Sequence, residues 1–242
     1  MSNAIEIENV TLHFPRSKGI IQSILNLFMS KDKGGKGSFT ALNDVNLTVK
    51  KGEVIGVIGR NGSGKSTLLR VIAGIYQPDE GKVRSLSKIS LLAGVSVGLN
   101  GNLTGIENVH LYGSIIGNSE QEMDEKMDDI LEFSELGEFI HQPLRTYSTG
   151  MKARLGIAIA SAIEPEILLI DEVLGVGDPQ FRDKSKARIL DLVKNSGTVI
   201  LVSHSFGLMK EICDRLILVN KGEIAKIGEP EEVIQEYYNL GK

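Results

Sequence analysis

Cysteine is almost absent from this chain: Cys213 is the only one in 242 residues. A lone thiol excludes an intramolecular disulfide framework and any metal site built from several cysteines, and it suits a reducing compartment such as the cytoplasm. Aromatic residues are scarce too, at 5%, while acids outnumber Lys and Arg by 31 to 27, for a formal charge of −4. An acidic chain with few stacking rings does not fit a dedicated nucleic-acid binder. No apolar run reaches the roughly 20 residues of a membrane span, and the N-terminus has no long hydrophobic core of the secretory kind, so neither self-insertion nor secretion is expected. What is present, 41% hydrophobic and 24% charged residues, is the composition of an ordinary globule. A chain this long buries roughly 70–75% of its unfolded surface and folds without a disulfide or metal staple.

The charge is unevenly spread. Between Pro15 and Phe39 stand Arg16, Lys18, Lys31, Lys33 and Lys36 against Asp32 alone, a local charge of +4 that leaves −8 for the remainder. Inside this segment Ile20, Ile21, Ile24, Leu25, Leu27 and Phe28 recur at helical spacing with Gln22, Ser23 and Asn26 opposite, which predicts a short amphipathic helix. Gly34 to Ser38 ends it flexibly. Ile5 to Ile7 alternates like a strand before the segment and Ala41 to Val49 resumes that pattern after it, so residues 15–39 read as an insertion between two strands.

Elsewhere short β-rich runs alternate with helical stretches. Val54 to Ile58, Ile167 to Ile170 and Thr198 to Val202 are nearly continuous apolar runs, as expected of strands buried on both faces of a largely parallel sheet. Asp214 to Ile227 predicts two strands around the turn Asn220-Lys221-Gly222. From about 94 to 164 the pattern is helical: Thr104 and Glu107 form a capping box, and Met123, Met127, Ile130 and Leu131 line one face of an acidic helix after Ser119. This stretch predicts a helical subdomain inserted into an α/β core, and Pro230 to Tyr238 a final helix.

Gly59-Arg60-Asn61-Gly62-Ser63-Gly64-Lys65-Ser66-Thr67 matches G-x-x-x-x-G-K-[ST] and falls between a predicted strand and a predicted helix, the context the motif requires. Its glycines let backbone N–H groups turn inward around a phosphate, and the helix N-terminus adds positive potential. Lys65 supplies a point charge to the β/γ-phosphates and Ser66 a hydroxyl to Mg²⁺. The run Ile167 to Ile170 ends in Asp171 and Glu172. At the carboxyl end of a parallel strand both acids reach the phosphate side of the sheet. Asp171 then holds Mg²⁺, and Glu172 orients or deprotonates the attacking water.

A further signal chooses among phosphotransferases. Tyr147-Ser148-Thr149-Gly150-Met151 stands upstream of the acidic strand, Asp178 beyond it, and His204 after Val202-Ser203. In this order the chain resembles the nucleotide-binding subunit of ATP-binding-cassette transporters over nearly its whole length. The resemblance implies one cassette domain over 1–242, α/β in class: a P-loop NTPase (RecA-like) core with a mixed sheet, an antiparallel β subdomain and an inserted helical subdomain. It implies ATP and Mg²⁺ as ligands, and a homodimer in which Ser148 and the Gly150 backbone of one subunit close on ATP held by the other. Asp178 matches the acid linking the two sites, His204 the histidine that contacts the γ-phosphate, and Phe14 the adenine-stacking aromatic, unless Phe14 packs in the core. Two departures stand out. Tyr147, Thr149 and Met151 replace the family's Leu, Gly and Gln, and the glutamine expected after the strand at Lys88 to Leu92 is missing from Ala93-Gly94-Val95-Ser96, so no residue is assigned to that role.

Within the family the chain is most similar to the cassettes that export lipid-linked polysaccharides, O-antigens and wall teichoic acids. The resemblance rests on Leu103 to Asn108, Ile130 to Ile140, the Tyr147 to Met151 loop, and Ile170-Asp171-Glu172-Val173-Leu174 leading to Asp178. It implies an integral-membrane permease dimer as partner, a glycan reached through it, and a peripheral location on the cytoplasmic face of the inner membrane. A carbohydrate-binding domain, which some members append, is not expected after the last helix. Two other classes share these residues: a soluble cassette ATPase without a permease, and a nucleotide-gated regulatory subunit, which the retention of Lys65, Asp171, Glu172 and His204 disfavours. The basic insertion reads either as a surface for the glycolipid or permease entrance, or as a stripe packed on the cassette itself.

Overall fold

The computed structural model describes residues 2–15, 38–93, 99–163, 165–171, 179–195 and 197–240. Two sheets form the frame. Strands β1 (Asn3–Pro15), β2 (Ser38–Lys50) and β4 (Glu80–Ser85) make an antiparallel sheet in the order β2-β1-β4. The larger sheet has the order β5-β6-β7-β3-β8-β9, with β3 (Val54–Ile58), β5 (Ile89–Ala93), β6 (Ile167–Asp171), β7 (Thr198–Val202), β8 (Arg215–Asn220) and β9 (Glu223–Gly228). Its first five members run parallel; β9 returns antiparallel to β8 through Lys221 and Gly222, both at positive φ. The chain is thus α/β, with a mixed sheet and a separate antiparallel one, as expected.

The strand period of two divides each apolar run between two cores. Ile167 and Leu169 join Ile55, Val57, Ile200 and Val202 on the face toward β1, β2 and helix α1 (Lys65–Ile72). Leu168 and Ile170 join Leu201, Leu216 and Leu218 on the other face. Each such side chain, removed from water, contributes about 1.5–3 kcal/mol, which explains why the runs are nearly continuously apolar; Thr198, buried at the start of β7, accepts from Gly52 N–H at 3.1 Å.

The helical stretch comprises α2 (Gly105–Ile116), α3 (Glu120–Glu125), α4 (Met127–Ser134), two 3₁₀ turns, and α5 (Thr149–Ala162). Thr104 and Glu107 form the expected capping box. Downstream of Ser119 the structure corrects the single acidic helix to two. Ser119 and Glu122 make a second capping box, and the chain breaks at Lys126, which ends α3 and begins α4. The break turns Met123 and Ile130 fully inward while Met127 and Leu131 are only half-buried. Nor does this stretch bury a core of its own. The second half of α5 is almost entirely buried, and its Leu155, Ile157 and Ile159 share one core with Met123 and Ile130 and with Leu168 and Ile170 of the sheet. Helices α6 (Pro179–Asn195), α7 (Phe206–Ile212) and α8 (Pro230–Asn239) complete the described chain.

Pro15 pairs with Ser38, so the ends of the basic insertion emerge from one point of the β1–β2 ladder. Its expected helix at 20–28 lies outside the described residues.

Candidate functional site

Parallel register aligns the carboxyl ends of three adjacent strands. Asp171 of β6 is level with Val202 of β7, and Val202 with Val57 of β3. Beyond these points lie the Asp171 carboxylate, His204 and the glycine-rich loop, so one edge of the sheet gathers all three, the edge where ligands bind in open α/β sheets.

The loop closes on itself and on its neighbours. Ser63 N–H donates to the Arg60 carbonyl at 3.1 Å and Leu68 N–H to the Gly64 carbonyl at 2.8 Å. Gly64 caps α1 at φ 112°, and a Cβ there would lie 2.9 Å from the Ala41 oxygen, so only glycine fits between the loop and β2. Gly222, in the β8–β9 turn, donates its N–H to the Ser63 carbonyl at 2.8 Å, and its own carbonyl accepts from Asn43 at 2.9 Å. Ala41 and Gly222 therefore brace the loop from outside the motif. In the sequence Gly222 stands only as part of a hairpin turn.

Lys65 is buried, and its Nζ donates to the carbonyls of Gly59 (2.8 Å) and Arg60 (3.1 Å). Ser66 Oγ donates to Asp171 Oδ1 at 3.1 Å, across 105 residues of chain. The Oγ of buried Ser63 has no hydrogen-bond partner among the described residues. An ammonium, a helix N-terminus and an unsatisfied hydroxyl suit a phosphate. The Ser66 hydroxyl beside the Asp171 carboxylate suits a hard divalent cation such as Mg²⁺, which takes oxygen ligands.

A cleft of about 260 Å³ opens over this loop, lined by Gly62, Gly64, Lys65, Ser66 and Thr67 on one side and by Phe14, Phe39 and Ala41 on the other. Phe14 and Phe39 are cross-strand partners. Phe14 meets Tyr76 edge-on at 5.4 Å, and Arg70 lies 5.9 Å from the Tyr76 ring. The loop carrying Tyr76 is tied back to β1: Asp79 accepts from His13 N–H at 2.6 Å and from its ring at 3.2 Å, and these bonds hold the Asp79 carboxyl below its ordinary pKa. Phe14 thus faces the cleft as well as packing on the core. Tyr76, its support, carried no local signal in the sequence because it follows an ordinary helix end.

Ser148 and Gly150 lie elsewhere. Ser148 is exposed and caps α5 by accepting from Met151 N–H at 3.2 Å, and a Cβ on Gly150 would meet Ser148 Oγ at 3.8 Å, an ordinary contact. Neither lines the cleft over the phosphate loop. Tyr147 has a reason to replace leucine: it is buried and its hydroxyl donates to the Phe139 carbonyl at 2.6 Å, which anchors the start of α5, and burial raises its pKa. Met151 packs against the same core. Asn61 and His204 are exposed. Glu172, Asp178 and residues 94–98 lie outside the described residues.

Residues 42–175 match the family model described as ABC transporter. The chain belongs to the ABC transporter family. The cassette is 45% identical over 198 residues to the O-antigen export system ATP-binding protein of Myxococcus xanthus, covering 82% of this chain but only 45% of that protein. It is 39% identical to the teichoic acids export ATP-binding protein of Staphylococcus haemolyticus, covering 98% and 89% of the two chains. Among solved structures, a dimeric ATP-binding cassette in a post-hydrolysis state with ADP and Pi superposes with a TM-score of 0.73 at 25% identity, over 93% of this chain and 98% of that one. The P-loop NTPase fold expected from the sequence is therefore the fold of the cassette.

Proposed function

We propose that this cassette is the ATP-hydrolysing subunit of an exporter that drives a lipid-linked polysaccharide, of the O-antigen or teichoic acid kind, across the cytoplasmic membrane. It works as a homodimer on a permease dimer, peripheral to the cytoplasmic face. The hydrogen bond between Ser66 and Asp171 carries the ATPase part, because it unites the phosphate loop with the strand-end acid. The names of the relatives from Myxococcus and Staphylococcus support the exporter part.

In this reading Lys65 exchanges its bonds to the Gly59 and Arg60 carbonyls for β- and γ-phosphate oxygens of ATP, while the loop N–H groups and Ser63 Oγ take up the remaining negative charge. Ser66 and Asp171 hold Mg²⁺, which supplies charge neutralisation to the phosphates. Phe14, backed by Tyr76, stacks on the adenine. Glu172, next to Asp171 in the chain, accepts a proton from the attacking water as its oxygen bonds to the γ-phosphorus and the bridging oxygen departs with ADP. His204 orients the γ-phosphate. Ser148 and the Gly150 N–H, which do not line the cleft of their own subunit, close over the nucleotide of the partner, with Asp178 linking the two sites. The basic insertion serves the permease entrance, its lysines meeting the anionic lipid-linked polymer.

Phosphate release by the purified cassette with ATP and Mg²⁺ tests the first part. Lys65→Ala should abolish turnover and weaken ATP binding in calorimetry; unchanged affinity would remove Lys65 from the site. Depleting the cassette in its host should leave polymer on the cytoplasmic side, and normal surface polymer would overturn the exporter reading.

A further inference from the structure

The turn that carries His204 is held from both sides. On one side Ser203, buried at the end of β7, accepts from Ser205 N–H at 3.1 Å. On the other, Ser205 caps α7, and Phe206 begins that helix. The Phe206 ring stands edge-on to Tyr237 at 5.2 Å and to Tyr238 at 5.7 Å, and those two rings meet each other at 5.7 Å. Edge-on contact is the favoured arrangement for such rings. Both tyrosines belong to α8, which is fixed to the sheet through buried Val233 and Ile234. A second link, Lys210 to Glu231 at 3.5 Å, joins α7 to α8. The last helix is therefore fastened by aromatic rings to a residue two positions beyond His204.

We propose that Phe206, clasped by Tyr237 and Tyr238, is a positioning residue that holds His204 at the carboxyl edge shared by β6, β7 and β3. The argument is geometric. His204 is exposed at the sheet edge, between buried Ser203, which follows β7, and Ser205, which caps α7, and it stands two residues before Phe206. The ring cluster adds a fixed point on α8 to the hydrogen bonds that Ser203 and Ser205 make at the turn. The catalytic consequence rests on the ATPase role of His204 proposed above; the positional one does not. It follows that whatever moves α8 at the C-terminal end of the cassette also moves His204.

The four histidines of the chain allow the two parts to be tested separately. In Phe206→Ala, the imidazole resonance of His204, assigned with His204→Ala, should shift or broaden while those of His13, His110 and His141 stay in place. Turnover should fall about tenfold, within the ~10²-fold that a displacement of 1 Å can cost, while KM for ATP changes less than about twofold. Phe206→Tyr, which keeps the ring, should restore both readouts. An unmoved His204 resonance in folded Phe206→Ala would overturn the positional inference. A moved resonance with wild-type turnover would overturn the catalytic consequence, and wild-type turnover in His204→Ala would instead overturn the role proposed for the histidine. Should Phe206→Ala fail to fold, Tyr238→Ala, at a residue 54% exposed, carries the same test.

Discussion

Replacing Asn108 by aspartate should destabilise the cassette in a pH-dependent way. Asn108 is fully buried in α2, and its side chain gathers the loop before that helix. Nδ2 donates to the carbonyls of Asn100 (3.0 Å), Leu103 (3.2 Å) and Thr104 (2.8 Å), and Oδ1 accepts from Asn100 N–H at 2.7 Å. In Asn108→Asp the acceptor survives, but the second oxygen faces three carbonyl oxygens. Protonated, it satisfies one of them and leaves two interactions lost, at about 1 kcal/mol each. Ionised, it is buried against partial negative charge, so the folded state raises the pKa of this carboxyl above its unfolded value near 3.9. A raised carboxyl pKa adds no cost below the unfolded value and an increasing one as pH rises toward the folded value, at about 1.4 kcal/mol per pH unit. The loss is then about 2 kcal/mol near pH 4 and up to about 7 kcal/mol near pH 7.5. At roughly 2–4 °C per kcal/mol, the unfolding midpoint should fall by about 4–8 °C at the lower pH and several times that at the higher. Thermal unfolding followed by circular dichroism at the two pH values measures this. A midpoint within about 2 °C of wild type at both pH values, or an equal loss at both, would refute the reasoning. The same loop accepts Leu144 N–H at Leu103 and Arg145 N–H at Gly101, so its loosening should reach the segment just before Ser148.

Four further outcomes are expected. Glu172→Gln should retain ATP binding and nearly lose turnover, leaving an ATP-stabilised dimer in size-exclusion chromatography; wild-type hydrolysis would remove Glu172 as the base. Glu135 accepts from Lys184 at 2.6 Å and Arg154 at 2.7 Å, joining the helix after Asp178 to the helix after Ser148, and these bonds, that of Lys184 foremost, lower its pKa. That stability is present above the unfolded carboxylate pKa and is lost as pH falls through the lowered one, so Glu135→Gln should flatten the acid limb of a stability–pH curve by less than about 1 kcal/mol, the pair being half exposed. Phe14→Ala should weaken ATP binding by about 1 kcal/mol or more and erode the preference for adenine in competition calorimetry; no change in either would take Phe14 out of the base contact. Replacing Lys31, Lys33 and Lys36 by glutamate should impair polymer export in cells while sparing the ATPase rate in detergent, and normal export at wild-type abundance would reject the charge-based role.

Several features of this cassette are local and were legible in the chain itself. The phosphate loop is one, because its glycines, lysine and serine are contiguous and their chemistry depends on the immediate backbone. The Thr104 capping box and the turn at Lys221-Gly222 are others, since each satisfies its own hydrogen bonds or φ angles within a few residues. The nearly continuous apolar runs at Val54, Ile167 and Thr198 announce strands covered on both faces for the same reason: burial on both sides favours apolar side chains at successive positions. Tertiary structure decided what depends on distance along the chain. It brought Ser66 to Asp171, set Ala41 and Gly222 against the loop, and stood Tyr76 behind Phe14. It also divided the acidic helix at Lys126 and made α5 common to the helical stretch and the sheet, because α3, α4 and α5 must share one apolar interior. Local periodicity records which residues seek burial. Which surfaces bury one another is settled only when elements far apart in sequence compete for the same space, and the site at the sheet edge is built from the winners.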